Sequence, residues 1–81
     1  MQYPVVSPYH GVVEKVLHPF TSSFYEWDTL FLIRTDDGMV EEIVVDLCGY
    51  VHSLEVGEGD RVIPGMVLAY IEEKTAQTDG V

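Results

Sequence analysis

The chain repeats itself at an offset of 38 residues, and this constrains its fold more than any single motif does. Gly11-Val12-Val13 returns as Gly49-Tyr50-Val51, Val16 as Leu54, Phe24 as Val62, Leu30 as Leu68, Leu32 as Tyr70 and Ile33 as Ile71. Val5-Val6 recurs as Ile43-Val44, and no insertion is needed to keep the register. Identities are few, but small and apolar positions coincide over most of the chain. A β unit of this size cannot bury its apolar face alone, so two copies must share one core.

Strand-forming residues cluster near 3–7, 11–17, 29–34, 39–45, 49–56 and 67–72, separated by Gly, Pro, Asp and Ser. Asp36-Asp37-Gly38 predicts a hairpin, for which Asp-Gly favours a primed turn. Gly57-Glu58-Gly59-Asp60 and Pro64-Gly65 supply two further turns. No helix is expected: Glu41-Glu42 interrupts any helical apolar face, and the β-branched residues around them favour a strand. Residues 18–28 form a longer connection whose aromatics Phe20, Phe24, Tyr25 and Trp27 are expected to fold back as a lid over one end of the core. The fold class is all-β, a sandwich or flattened barrel of about six to eight short strands. Its core is expected to contain Val13, Val16, Leu30, Leu32, Val51, Leu54, Val62 and Leu68.

With 81 residues and one cysteine the chain is a single small domain without an intrachain disulfide. Residues 1–73 make the domain, and the polar residues 74–81 are expected to be a disordered tail. A net charge of -10 repels phosphate backbones and anionic bilayers, which argues against nucleic-acid and membrane partners and favours a basic protein. No apolar run reaches the roughly 18 residues that a membrane span requires, and no targeting signal is visible, so a cytoplasmic location is expected.

The pattern Gly49-x-Val51…Val56-x-Glu58-Gly59-Asp60-x-Val62-x-x-Gly65-x-x-Leu68-x-x-Ile71-Glu72 resembles the C-terminal half of the biotinyl/lipoyl attachment domains. Ser7-Pro8-x-x-Gly11-x-Val13 and the strand ending at Leu32-Ile33 fit the N-terminal half, so the resemblance covers residues 4–73. It implies a barrel-sandwich hybrid, two interlocked four-stranded sheets related by a quasi-two-fold axis. The family's chemistry rests on one lysine at the tip of an exposed hairpin, acylated by biotin or lipoate. Counting back from Gly49, that position falls on Gly38, preceded by Asp37 and followed by Met39. Residues 35–46 contain no lysine, so this chain is expected to be a degenerate member without a cofactor. A carrier using a displaced lysine, Lys15 or Lys74, is the alternative.

Other chemistry finds little support. His10, His18 and His52 lack metal-ligand spacing, and a structural zinc site needs four ligands. His10 and Cys48 precede the matched glycines and are expected at equivalent places. Cys48 has acidic Asp46 nearby and no base arranged to activate it, so it reads as a small buried core residue rather than a nucleophile. Thr21, Ser22 and Ser23 have no arranged base. The expected function is therefore non-enzymatic, a docking or assembly module. Its contacts would come from Asp36, Asp37, Glu41 and Glu42 of the hairpin, from Phe20, Phe24, Tyr25 and Trp27, and from a sheet edge. A weak homodimer through residues 20–27 is also expected, because aromatic clusters dominate interfaces.

Overall fold

A computed structural model describes residues 1–19 and 21–74. Eight strands are present: β1 (Gln2–Val6), β2 (Gly11–Val16), β3 (Ser23–Phe24), β4 (Thr29–Thr35), β5 (Val40–Val44), β6 (Gly49–Leu54), β7 (Arg61–Val62) and β8 (Val67–Glu73). They form two antiparallel four-stranded sheets, ordered β1-β8-β6-β3 and β5-β4-β2-β7. Each strand of the first half has its counterpart 38 residues later, and the exchange β1/β5, β2/β6, β3/β7, β4/β8 converts one sheet order into the other. The repeat read from the sequence is thus the internal symmetry of a barrel-sandwich.

The two-residue strands β3 and β7 lie in segments where no strand was expected, because two residues carry no periodicity. Long-range backbone bonds create them. Val51 N–H donates to Ser22 O (3.0 Å) and Thr21 N–H to Val51 O (2.9 Å). The other half repeats this with Val13 N–H to Asp60 O (2.9 Å) and Gly59 N–H to Val13 O (2.9 Å).

Bulges set which side chains point inward. In β4 the register against β5 shifts between Thr29 and Phe31, and in β8 the partners of Val5 and Val6 skip from Ala69 to Val67. The extra residues are Leu30 and Leu68, and a bulged residue can turn inward beside its neighbour. Hence Leu30 and Phe31 are both buried, as are Leu68 and Ala69. This phase change corrects the expected core at Leu32. It lies half-buried on the outer face, between the inward Phe31 and Ile33. Val13, Leu30, Val51, Val62 and Leu68 are core residues as expected, and Val16 and Leu54 pack against the core while partly exposed. Strict alternation from Leu30 and from Leu68 misses Phe31, Ile33 and Ile71, all of them buried.

Gly11 and Gly49 start equivalent strands for a steric reason. A Cβ on Gly11 would fall on the carbonyl oxygen of Arg34, and one on Gly49 on the carbonyl oxygen of Glu72. The strands cross too closely for any side chain.

Two expectations fail. The 18–28 aromatics do not act together as a lid: Phe24 is 2% exposed and belongs to the core, whereas Tyr25 and Trp27 are 74% and 65% exposed. Phe24 takes the inward position that Val62 takes in the other half, and its neighbours turn out with the pleat. Phe20 and residues 75–81 lie outside the described residues. Cys48 is exposed rather than buried. Its carbonyl accepts Lys74 N–H (2.8 Å) as that of His10 accepts Asp36 N–H (3.1 Å), so the two residues are equivalent as expected, with both side chains exposed. Among the described residues no helix is long and apolar enough to cross a membrane.

Candidate functional site

The β4–β5 hairpin projects from the second sheet and turns through Asp36, Asp37 and Gly38. Both acids have negative φ, Gly38 has φ 90°, and Gly38 N–H donates to Thr35 O (2.9 Å). This is a type I turn closed by a left-handed glycine, a three-residue loop rather than the expected two-residue primed turn. Thr35 builds it: its hydroxyl donates to the Asp37 carboxylate and accepts Met39 N–H (3.1 Å). The hydrogen bond from Thr35 holds the Asp37 carboxyl below its ordinary value, because it stabilises the ionised form. Asp36 pairs with Arg61 Nη1 at 3.1 Å, tying the hairpin base to β7.

The position where the resemblance places an acylated lysine is therefore the φ-positive glycine of this turn. Nothing lies within 4 Å of where its Cβ would stand. The tip is open, but it carries no amine. Biotin and lipoate require an amide to a lysine side chain, and the residues here do not fit that group. Lys15 lies on β2 and the exposed Lys74 directly follows β8, each outside the hairpin.

Beside the hairpin is an open groove of about 650 Å³ lined by Tyr9, His10, Asp36, Asp37, Met39 and Glu41, among others. The β1–β2 connection forms its far wall. Buried Ser7 shapes that wall by donating to Tyr9 O (2.9 Å) and accepting Tyr9 N–H (3.0 Å). Three of the four hairpin acids singled out in the sequence thus share one groove with His10. Glu42 is turned elsewhere, accepting the Thr29 hydroxyl at 2.7 Å. Among the described residues no group of three or more His, Cys, Asp or Glu side chains is arranged to hold a metal ion.

A second groove, of about 360 Å³, lies on another part of the surface. Buried Val5, Ile43 and Ile71 floor it, and exposed Val6, Val44 and Trp27 stand at its rim. It runs between β1 and β5, the strands at the open ends of the two sheets. Its rim contains the least expected backbone of the molecule. Residues 25–28 form a turn closed by Asp28 N–H to Tyr25 O (3.0 Å), with Trp27 at φ 70°. The equivalent turn, Ile63-Pro64-Gly65-Met66, closes with Met66 N–H to Ile63 O (3.1 Å), with Gly65 at φ 89°. Tryptophan thus occupies the glycine position of a type II turn, an unusual placement for a bulky side chain. The Asp28 carboxylate supports it by accepting Tyr25 N–H (2.8 Å), and Trp27 N–H donates to Val45 O (2.7 Å). Trp27 and the hairpin acids were legible as surface candidates, but their separation into two grooves was not. The role of β1 left no signal in single residues.

No protein-family model and no curated protein sequence matches the chain. Solved structures do. A single-chain, multi-domain long-chain acyl-CoA carboxylase matches with TM-score 0.83 and 16% identity over 91% of this chain. The urea carboxylase of Kluyveromyces lactis matches with TM-score 0.79 and 19% identity over 89% of this chain. The chain spans only 7% and 6% of those two proteins. The lipoyl domain of the 2-oxoglutarate dehydrogenase complex from Azotobacter vinelandii matches with TM-score 0.71 and 23% identity, over 82% of each chain. The fold is that of the biotinyl/lipoyl attachment domains.

Proposed function

We propose that this chain is a biotinyl/lipoyl-fold protein that acts by binding another protein, as an adaptor or assembly module, and not as an acyl or biotin carrier or as an enzyme. The observation that carries this reading is Gly38 at the tip of the hairpin, with no lysine between residues 35 and 46. A carrier domain needs its scaffold only to present one amine. Here the scaffold is intact and the amine is missing, so what remains to be used is surface. The two grooves and the acidic hairpin are the surfaces with distinct chemistry, and the net charge of -10 suits a basic partner.

Intact mass after co-expression with biotin and lipoate ligases tests the reading. The unmodified mass is expected, because neither Lys15 nor Lys74 occupies the turn. Stoichiometric addition at either lysine would make the chain a carrier with a displaced attachment site.

A further inference from the structure

The hydrogen-bonding alternation of β5 leaves part of its backbone unpaired. Thr35 N–H donates to Met39 O (2.7 Å), so this is a bonded pair, and Ile33↔Glu41 and Phe31↔Ile43 follow as bonded pairs. The peptide groups of Val40 and Glu42 therefore point away from β4. Among the described residues nothing pairs with them, because β5 ends its sheet. The equivalent positions on β1 are Gln2 and Pro4, and β1 also ends its sheet. Pro4 has no N–H, which blunts that edge against strand addition. The two edges flanking the groove are thus unequal: one is blocked by proline, the other offers a free donor at Glu42.

Charge selects what the free edge accepts. Residues 35–60 contain no Lys or Arg, and among the described residues Glu41 and Asp46 form no ion pair. A second copy is a poor occupant, since pairing β5 with itself would set Glu41 and Glu42 beside the same acids on a chain of equal charge. Trp27, held in left-handed backbone at the rim, adds an aromatic face to an apolar floor. Strained residues of this kind collect at functional surfaces.

Resting on the adaptor reading above, the geometry points to β5 as a strand-addition site that takes an extended segment of a basic protein, with alternating apolar and Lys/Arg side chains, into the groove between β5 and β1. Main-chain bonds to Val40 and Glu42 supply the pairing, the floor takes the apolar side chains, and the acids favour the basic ones.

The test is an NMR titration of the full chain with the peptide acetyl-Lys-Val-Lys-Val-Lys-Val-amide, its Glu-Val counterpart, and the Lys-Val peptide N-methylated at alternate residues. Expected are shifts confined to Val40–Val44 and the Trp27 indole, slowed exchange at the Val40 and Glu42 amides, and affinity that falls with salt. The Glu-Val and N-methylated peptides should bind at least about tenfold more weakly. Glu42→Pro transfers the block found at Pro4 and should weaken Lys-Val binding about tenfold, while Glu42→Gln, which keeps the backbone donor, should weaken it only about twofold. Should Glu42→Pro not fold, the N-methylated peptide decides the same point on the wild type. Equal binding of the N-methylated peptide, shifts at the Tyr9–Asp37 groove instead, no binding at all, or sedimentation showing a dimer paired through β5 would each overturn the inference. The mass measurement is independent of these outcomes. An unmodified chain that ignores the peptide loses the edge site and keeps the adaptor reading, whereas a modified chain loses the adaptor reading whatever the peptide does.

Discussion

Residues 2–35 and 40–73 trace nearly the same strands with different side chains, and the differences fall where the two halves have different tasks. Burial runs in parallel: β4 and β8 share the same order of buried and half-buried positions over their first five residues, and β1 and β5 share theirs throughout. Backbone bonds of the connections recur as well, Leu17 N–H to Leu30 O mirrored by Glu55 N–H to Leu68 O, each at 2.9 Å. Against that background three exchanges stand out. Gly59 and Gly65, with φ 92° and 89°, are replaced in the first half by Thr21 and Trp27, with φ 66° and 70°. Pro4 on one outer edge takes the position that Glu42 takes on the other. The second half thus has the residues its turns prefer, and the first half accepts backbone strain to place a tryptophan at the groove. A shared core tolerates such local costs because both halves draw on the same buried side chains.

Four measurements would break or sharpen this comparison. The largest effect is expected at the crossings: Gly11→Ala and Gly49→Ala should each destabilise by about 4 kcal/mol in denaturant unfolding, since the new methyl meets backbone that cannot move aside. Tolerance at one site alone would mean that the halves are not mechanically equivalent. Phe24→Ala should lose about 3–4 kcal/mol and Val62→Ala about 2, because the equivalent core positions differ in volume. Equal losses would mean that the Phe24 cavity collapses.

Smaller and of opposite sign are the turn exchanges. Trp27→Gly should stabilise by about 0.5–1 kcal/mol by relieving left-handed strain, and Gly65→Ala should destabilise by about 1 kcal/mol by creating it. A loss of stability in Trp27→Gly would show that the indole contributes more by packing in the groove than its backbone loses. The smallest effect belongs to the hairpin turn. The Asp37 carboxyl is held below its ordinary 3.8, so the Thr35 bond contributes fully above that pH and is lost as pH falls through the lower folded value. Carboxyl-carbon shifts should give a midpoint below 3.8 in the wild type and a return toward 3.8 in Thr35→Val.

Much of the scaffold was legible because repetition and glycine placement are sequence properties with direct steric meaning. The 38-residue offset, the matched glycines and the six longer strands follow from which positions must be small or apolar. The missing lysine was equally plain, being a question of residue identity. Leu32 was misplaced because a bulge changes the inward phase by one residue, and a bulge is settled by the partner strand. Cys48 was expected inside because no neighbour activates it as a nucleophile, but its place in a connection before Gly49 leaves its side chain in solvent. The short strands β3 and β7 exist only through pairing with distant residues, Ser23 with Tyr50 and Val12 with Arg61. The same holds for the surface. Residue types identified Trp27 and the hairpin acids as candidates, but the ordering of strands decided that β1 and β5 end their sheets, and pairing alternation decided which peptide groups they leave free. Sequence specifies what each position can tolerate. Which positions meet, and which backbone stays unpaired, depends on contacts that form only when both halves close on one core.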